Sequence, residues 1–189
     1  MMSDYMVKAG NSPRALAYKP IVVAIHWITA LFIITQIVIG LKFADMPKGP
    51  ARIDALNWHK TVGVAILLLA LIRLAVRLMN PPPPFPQDIP KWERTAAVWM
   101  HRLFYFLLLA LPLTGLAAVS KQAVGGMTDL QFGLRFPVVP IPALGETHVF
   151  LVWSLIALFV IHVGAALKQQ FFDRGEVADR MPPFRATRR

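Results

Sequence analysis

The sequence predicts an all-α fold: an integral membrane four-helix bundle with both termini cytoplasmic. Three observations carry that prediction. Of 189 residues, 56% are hydrophobic and only 16% are charged, a balance that soluble domains rarely show. Four segments, about 20–43, 56–78, 95–119 and 148–170, reach or approach the roughly 20 apolar residues that a membrane helix requires. Lys and Arg are distributed unequally between the two sets of flanks, as expected when the richer side is cytoplasmic.

Taken in order, each segment has its own justification. Only helices or closed barrels satisfy every backbone group in lipid, and these runs lack the alternation of barrel strands and are about twice their usual length. The first segment is longer than the apolar core of a signal peptide, and Gly40 to Asp45 offers no small-x-small cleavage pattern. It therefore reads as a retained helix. After the second helix, Asn80 to Pro90 contains Pro81 to Pro84, Pro86 and Pro90, so this stretch reads as an extended connector that cannot continue a helix. The third helix contains Pro112, which is expected to bend it. The longer loop Ser120 to Thr147, with Gly125-Gly126 and three prolines, is placed over the mouth of the bundle. The whole chain, 1–189, is expected to form a single membrane domain with short cytoplasmic tails.

With the amino terminus inside, the inner side holds Lys8, Arg14, Lys19, Arg73, Arg77, Lys91, Arg94, Arg102, Lys168, Arg174, Arg180, Arg185, Arg188 and Arg189, fourteen in all, against six outside. The six are Lys42, Lys48, Arg52, Lys60, Lys121 and Arg135. Topology and attraction to anionic membrane lipid account for much of the net charge of +10, and no nucleic-acid partner is expected.

Four of the five histidines stand near the ends of apolar runs, where a polar ring is costly without a partner. His26 lies near the start of the first run, His59 just before the second, His148 at the start of the fourth and His162 near its end. In a bundle of alternating direction, His26 and His162 share one level and His59 and His148 the other. His148 and His162 are 14 residues apart, about 21 Å of helical rise and about 40° short of four turns. That spacing excludes one shared metal but suits two planar cofactors, one toward each membrane surface. The chain has no cysteine, so thiolate iron–sulfur ligation, thiolate zinc sites, disulfides and covalent c-type haem attachment are excluded. No Asp or Glu lies within the four runs, which argues against a carboxylate-bridged di-iron bundle. His101, near the start of the third helix, has no counterpart. It is a candidate for a hydrogen bond to a haem propionate, for lining a quinone site, or for capping the interface. Arg73 and Arg77 are candidates to pair with propionates or to snorkel into headgroups. Gly63, Gly164 and Ala165 leave room for close approach near the histidines.

These residues carry a resemblance. His26-Trp27, then His59-Lys60-Thr61-Val62-Gly63 with Arg73-Leu74 and Arg77-Leu78, then His101 with Leu111-Pro112-Leu113-Thr114-Gly115 follow in order. Phe132-Gly133-Leu134, Glu146-Thr147-His148 and His162 to Lys168 complete the set. Over about residues 18 to 184 the chain resembles the bacterial cytochrome b561 family of di-haem membrane proteins. The resemblance implies two b-type haems per chain, with His26 and His162 as the ligands of one and His59 and His148 as those of the other. It also implies a multi-pass protein of the bacterial inner membrane, moving single electrons between superoxide or another small donor and ubiquinone, as a superoxide:ubiquinone oxidoreductase. The alternative is an electron-carrier subunit or anchor serving a partner dehydrogenase or a periplasmic redox protein. A third class, a haem-free transporter with histidine proton relays, fits poorly with the paired levels. Where relatives commonly show two histidines after the fourth helix, this chain has Gln169-Gln170. Glutamine can hydrogen-bond a quinone carbonyl but cannot relay a proton as histidine does. Near His59, Lys42, Lys48, Arg52 and Lys60 outnumber Asp45 and Asp54, a field that would draw a small anion.

Overall fold

A computed structural model describes residues 18–86, 89–120, 123–138, 141, 144–173 and 180–181. Four long helices account for most of it: α1 (Pro20–Ala44), α2 (Pro50–Met79), α3 (Lys91–Ala118) and α4 (Leu144–Lys168), the last continuing as a π-helical turn over Gln169–Asp173. All four are long and apolar enough to cross a membrane. Each packs on its neighbour in sequence.

The helices start earlier than the apolar runs imply, most clearly α2, which begins at Pro50 rather than near residue 56, and α3, which begins at Lys91 rather than near residue 95. Their first turns are polar and carry no hydropathy signal, yet Pro50 sits at the first helical position of α2, where its fixed φ and missing N–H cost nothing. Helix α3 runs through Pro112 without interruption. Thr114 Oγ1 donates to the Ala110 and Leu111 carbonyls in the same turns.

Buried side chains are few and central. Ile33 of α1, Ile66 and Ala70 of α2, Leu107, Leu108 and Leu111 of α3 and Leu155 of α4 form one cluster drawn from all four helices. Meanwhile Leu31, Leu68, Phe106, Trp153 and Val160 point outward and are more than half exposed. Large apolar side chains spread around the outside of a bundle are stable when lipid is the solvent. At one end Trp92 and Trp99 are exposed and Arg102 lies over the Trp99 ring, the amphipathic belt expected at a membrane surface. This end also holds connector residues 80–86 and 89–90 and is called the connector end below.

The opposite end is capped by an antiparallel pair of short strands, β1 (Met127–Asp129) and β2 (Arg135–Pro137). Gly125 and Gly126, with φ of 61° and 71°, form the tight turn leading into β1, a pair of left-handed positions that glycine adopts without strain. The strands are pinned to α2: the Gln131 N–H donates to Thr61 Oγ1 at 2.9 Å, its side-chain amide donates to Asp54 Oδ1 at 2.7 Å, and Lys60 Nζ donates to Thr128 Oγ1 at 3.1 Å. Leu130 and Val138 bury against Val64 and Leu116. This loop covers the bundle mouth as the sequence implies, and its end is called the hairpin end.

Candidate functional site

Up-and-down packing brings the predicted histidines together in two groups, one at each end. At the hairpin end, His59 of α2 and His148 of α4 are neighbours, with ring centroids 6.3 Å apart and planes at 83°. At the connector end, His26 of α1 and His162 of α4 are also 6.3 Å apart, with planes at 63°. All four are half-buried. Among the described residues no three His, Asp or Glu side chains converge on one ion position, so the pairs are two-point arrangements.

That separation bears on what can fit between the rings. A first-row metal binds imidazole nitrogen at about 2.0–2.1 Å, and the nitrogen lies roughly 1.1 Å from the ring centre, so rings on opposite sides of one metal hold centroids about 6.3 Å apart. Both pairs have this spacing. The backbone beside the hairpin-end pair is also cut away for the rings. A Cβ on Gly40 would lie 3.1 Å from His59 Cε1, and one on Gly115 would lie 3.0 Å from His148 Cε1. Two buried polar atoms there, His59 Nδ1 and Gln36 Oε1, have no hydrogen-bond partner among the described residues. Ring spacing, backbone relief and unsatisfied polar atoms fit a metal at the centre of a flat macrocycle, as in haem.

The surrounding groups differ from ring to ring. His148 Nδ1 lies 3.0 Å from the Leu111 carbonyl and 3.2 Å from Thr114 Oγ1. The carbonyl can only accept, so the proton is on Nδ1 and Nε2 is left as the open nitrogen. Gln36, a lone amide in the apolar length of α1, donates to the His59 carbonyl at 3.0 Å and meets His59 Nε2 at 3.1 Å. Phe43 flanks the same ring at 6.0 Å, with Arg52 over the Phe43 ring. At the connector end, Arg73 Nη2 lies 2.9 Å from His26 Nδ1, and Phe104 packs edge-on against His162 at 5.2 Å.

His101 belongs to this second group. Its ring stands 6.0 Å from that of His162, and its Nδ1 donates to the Ala97 carbonyl at 2.7 Å, so both His26 and His101 neighbour His162. Arg77 is one turn beyond Arg73 on α2. Gly164 has nothing within 4 Å of where its Cβ would be, whereas Gly63 faces the Gln36 amide at 3.4 Å. Beyond His162, Gln169 donates to Glu93 at 3.1 Å, and Lys168 pairs with both Glu93 and Asp173.

Gln36 and Gly40 are the site residues that sequence reasoning missed, while Leu111, Thr114 and Gly115 stood in the third-helix motif without a role beside His148. Gln36 had a legible signal, being an amide in the middle of a membrane run. The others act through helix crossings that the sequence does not display.

Comparison with known proteins agrees with this architecture. The profile of the prokaryotic cytochrome b561 family matches residues 17–183. Cytochrome b561 homolog 2 of Escherichia coli strain K12 is 29% identical over 177 residues, covering 90% of this chain and 93% of the relative. Cytochrome b561 homolog 1 of the same organism is 31% identical over 168 residues, covering 85% and 94%. A probable superoxide oxidase, CybB, of Yersinia pestis is 27% identical over 177 residues, covering 88% and 96%. With four membrane-spanning helices and a family match over nearly its whole length, the chain belongs to the prokaryotic cytochrome b561 family of multi-pass, haem b-binding electron-transfer proteins.

Proposed function

We propose that this protein holds two b-type haems, one between His26 and His162 and one between His59 and His148, and carries single electrons along the bundle between a small donor and a quinone. The single observation that carries the reading is the 6.3 Å ring spacing of both pairs at opposite ends of one bundle. When bound, each haem would be held by one histidine pair and would supply one ferric–ferrous couple.

The protein's own groups prepare the sites. The Leu111 carbonyl holds His148 in the tautomer whose Nε2 is free, Gln36 steadies His59, and Arg73 and Arg77 bring positive charge to the connector end, where propionates would meet bidentate donors. His26 rather than His101 is assigned opposite His162, in keeping with the ligand pairs that the family resemblance implies. His101 is the group placed to hydrogen-bond a propionate.

In this reading the connector end faces the cytoplasm of a bacterial inner membrane, because the flanks there hold the excess of Lys and Arg. The hairpin end then faces outward, and Lys42, Lys48, Arg52 and Lys60 draw superoxide toward His59. Two superoxide anions each give up one electron and leave as dioxygen, and one ubiquinone takes both electrons with two protons. The name of the Yersinia relative is consistent with this chemistry. Gln169 and Gln170 leave quinone hydrogen bonding possible but supply no proton relay of their own.

The second reading, a cytochrome b subunit serving a redox partner, draws on the rim of the hairpin. Phe132 is 78% exposed and stacks edge-on with Trp58, the residue before His59, and exposed aromatics suit a docking partner. Stopped-flow mixing of the purified protein with superoxide, with and without ubiquinone, tests the proposal. Rapid reduction followed by quinone-dependent reoxidation supports it. Reduction no faster than that of free haem contradicts it and leaves the partner-dependent reading.

A further inference from the structure

The two histidine pairs share a spacing but differ in whether a charged group touches their rings. The connector end carries a cation in direct contact with a ring, since the Arg73 guanidinium lies 2.9 Å from His26 Nδ1, and Arg77 follows one turn away. At the hairpin end, among the described residues, the ring nitrogens meet only neutral groups: His148 donates to the Leu111 carbonyl beside Thr114, and His59 meets the Gln36 amide. The cations nearby are engaged elsewhere, Lys60 by Thr128 of β1 and Arg52 over the Phe43 ring.

These arrangements act in opposite directions on a metal held between the rings. A carbonyl accepting the Nδ1 proton makes the imidazole a stronger donor and stabilises ferric iron. A guanidinium in a low-dielectric bundle disfavours the extra positive charge of the ferric state and so stabilises ferrous iron. A guanidinium only donates and a ring that ligates through Nε2 keeps its proton on Nδ1, so with the site loaded Arg73 turns from His26 to a propionate and its charge stays at that end. We propose that Arg73 sets the connector-end haem at the higher reduction potential, so that electrons run downhill from the hairpin end to the connector end. This inference rests on the ligand pairs proposed above. The step moves one electron, with no bond made or broken and no proton taken up. Arg73 is a tuning residue that reacts with nothing itself.

Potentiometric titration of the α-band tests it, with haem counted on the same samples. In Arg73→Gln the higher-potential wave should fall by at least 59 mV, a tenfold change in the one-electron equilibrium, while the other wave stays in place. Arg73→Lys, which keeps the charge, should restore most of the shift. The same fall should appear when Arg73→Gln is placed in the His148→Ala background, where the connector-end haem alone remains. Waves that stay fixed, or that move together, overturn the inference while leaving the ligand pairs standing. If Arg73→Gln does not load haem, the wave missing from His26→Ala decides: loss of the higher-potential wave supports the inference, and loss of the lower one overturns it. A full haem count in His148→Ala would instead refute the ligand pairs, and this inference with them.

Discussion

Gly115 offers the sharpest perturbation of the hairpin-end site. In Gly115→Ala the added Cβ would lie 3.0 Å from His148 Cε1 and 3.3 Å from Nδ1, against an ordinary carbon contact of about 3.5–4.0 Å. The ring must retreat by roughly 0.5 Å to restore that contact, but it is tethered by the Leu111 carbonyl at 3.0 Å and by Thr114 at 3.2 Å. Metal–ligand distances tolerate only about 0.2 Å, and disturbing an outer partner of a ligand typically weakens metal binding about 10- to 100-fold, or about 1.4–2.7 kcal/mol. The same substitution favours the helix itself by up to about 1 kcal/mol, so the bundle should keep its stability while losing its hold on one haem. The assay is haem retention by pyridine haemochrome during dilution and gel filtration in detergent. Gly115→Ala should retain the connector-end haem and shed the other. Gly145→Ala, on α4 with nothing within 4 Å of its Cβ position, should retain both. If Gly115→Ala elutes with a full complement and an unchanged low-spin spectrum, the claim that the glycine makes room for an axial ring is refuted.

Three further outcomes are expected. His26→Ala should lose one haem while His101→Ala keeps two, because both rings lie near His162 but only His26 is assigned as its axial partner; reduced-minus-oxidised spectra distinguish the variants. Thr61→Val removes the acceptor of the Gln131 N–H, worth about 1 kcal/mol, so limited proteolysis within residues 123–138 should quicken about fivefold. Arg180, only 5% exposed, donates to the Pro83 and Pro84 carbonyls, and Arg180→Ala should lower the thermal midpoint in detergent, in line with the loss of about 1.5–3 kcal/mol from charge-assisted hydrogen bonds.

The four helices were legible because lipid forces long apolar runs into them, and the two histidine levels followed from alternating direction alone. Less legible was whatever depends on helices crossing. Nothing in Gly115 or Thr114 announces that α4 brings His148 against them, and the polar first turns of α2 and α3 have no hydropathy signal. Gln36 stands among apolar neighbours and was readable in principle, though its contact with His59 spans 23 residues. His101 illustrates a different limit: its position in sequence placed it at the right end, but only the structure shows it 6.0 Å from His162. Arg180 was counted simply as a basic flank, and the structure shows its guanidinium holding the polyproline connector.

The central claim is that two histidine pairs each hold one haem. Pyridine haemochrome quantitation of the purified protein, paired with the dithionite-reduced minus oxidised spectrum of wild type and His148→Ala, tests it most directly. The account predicts about two haems b per chain, falling to about one in the variant with a six-coordinate low-spin spectrum retained. One haem untouched by the substitution, or no haem at all, would contradict it.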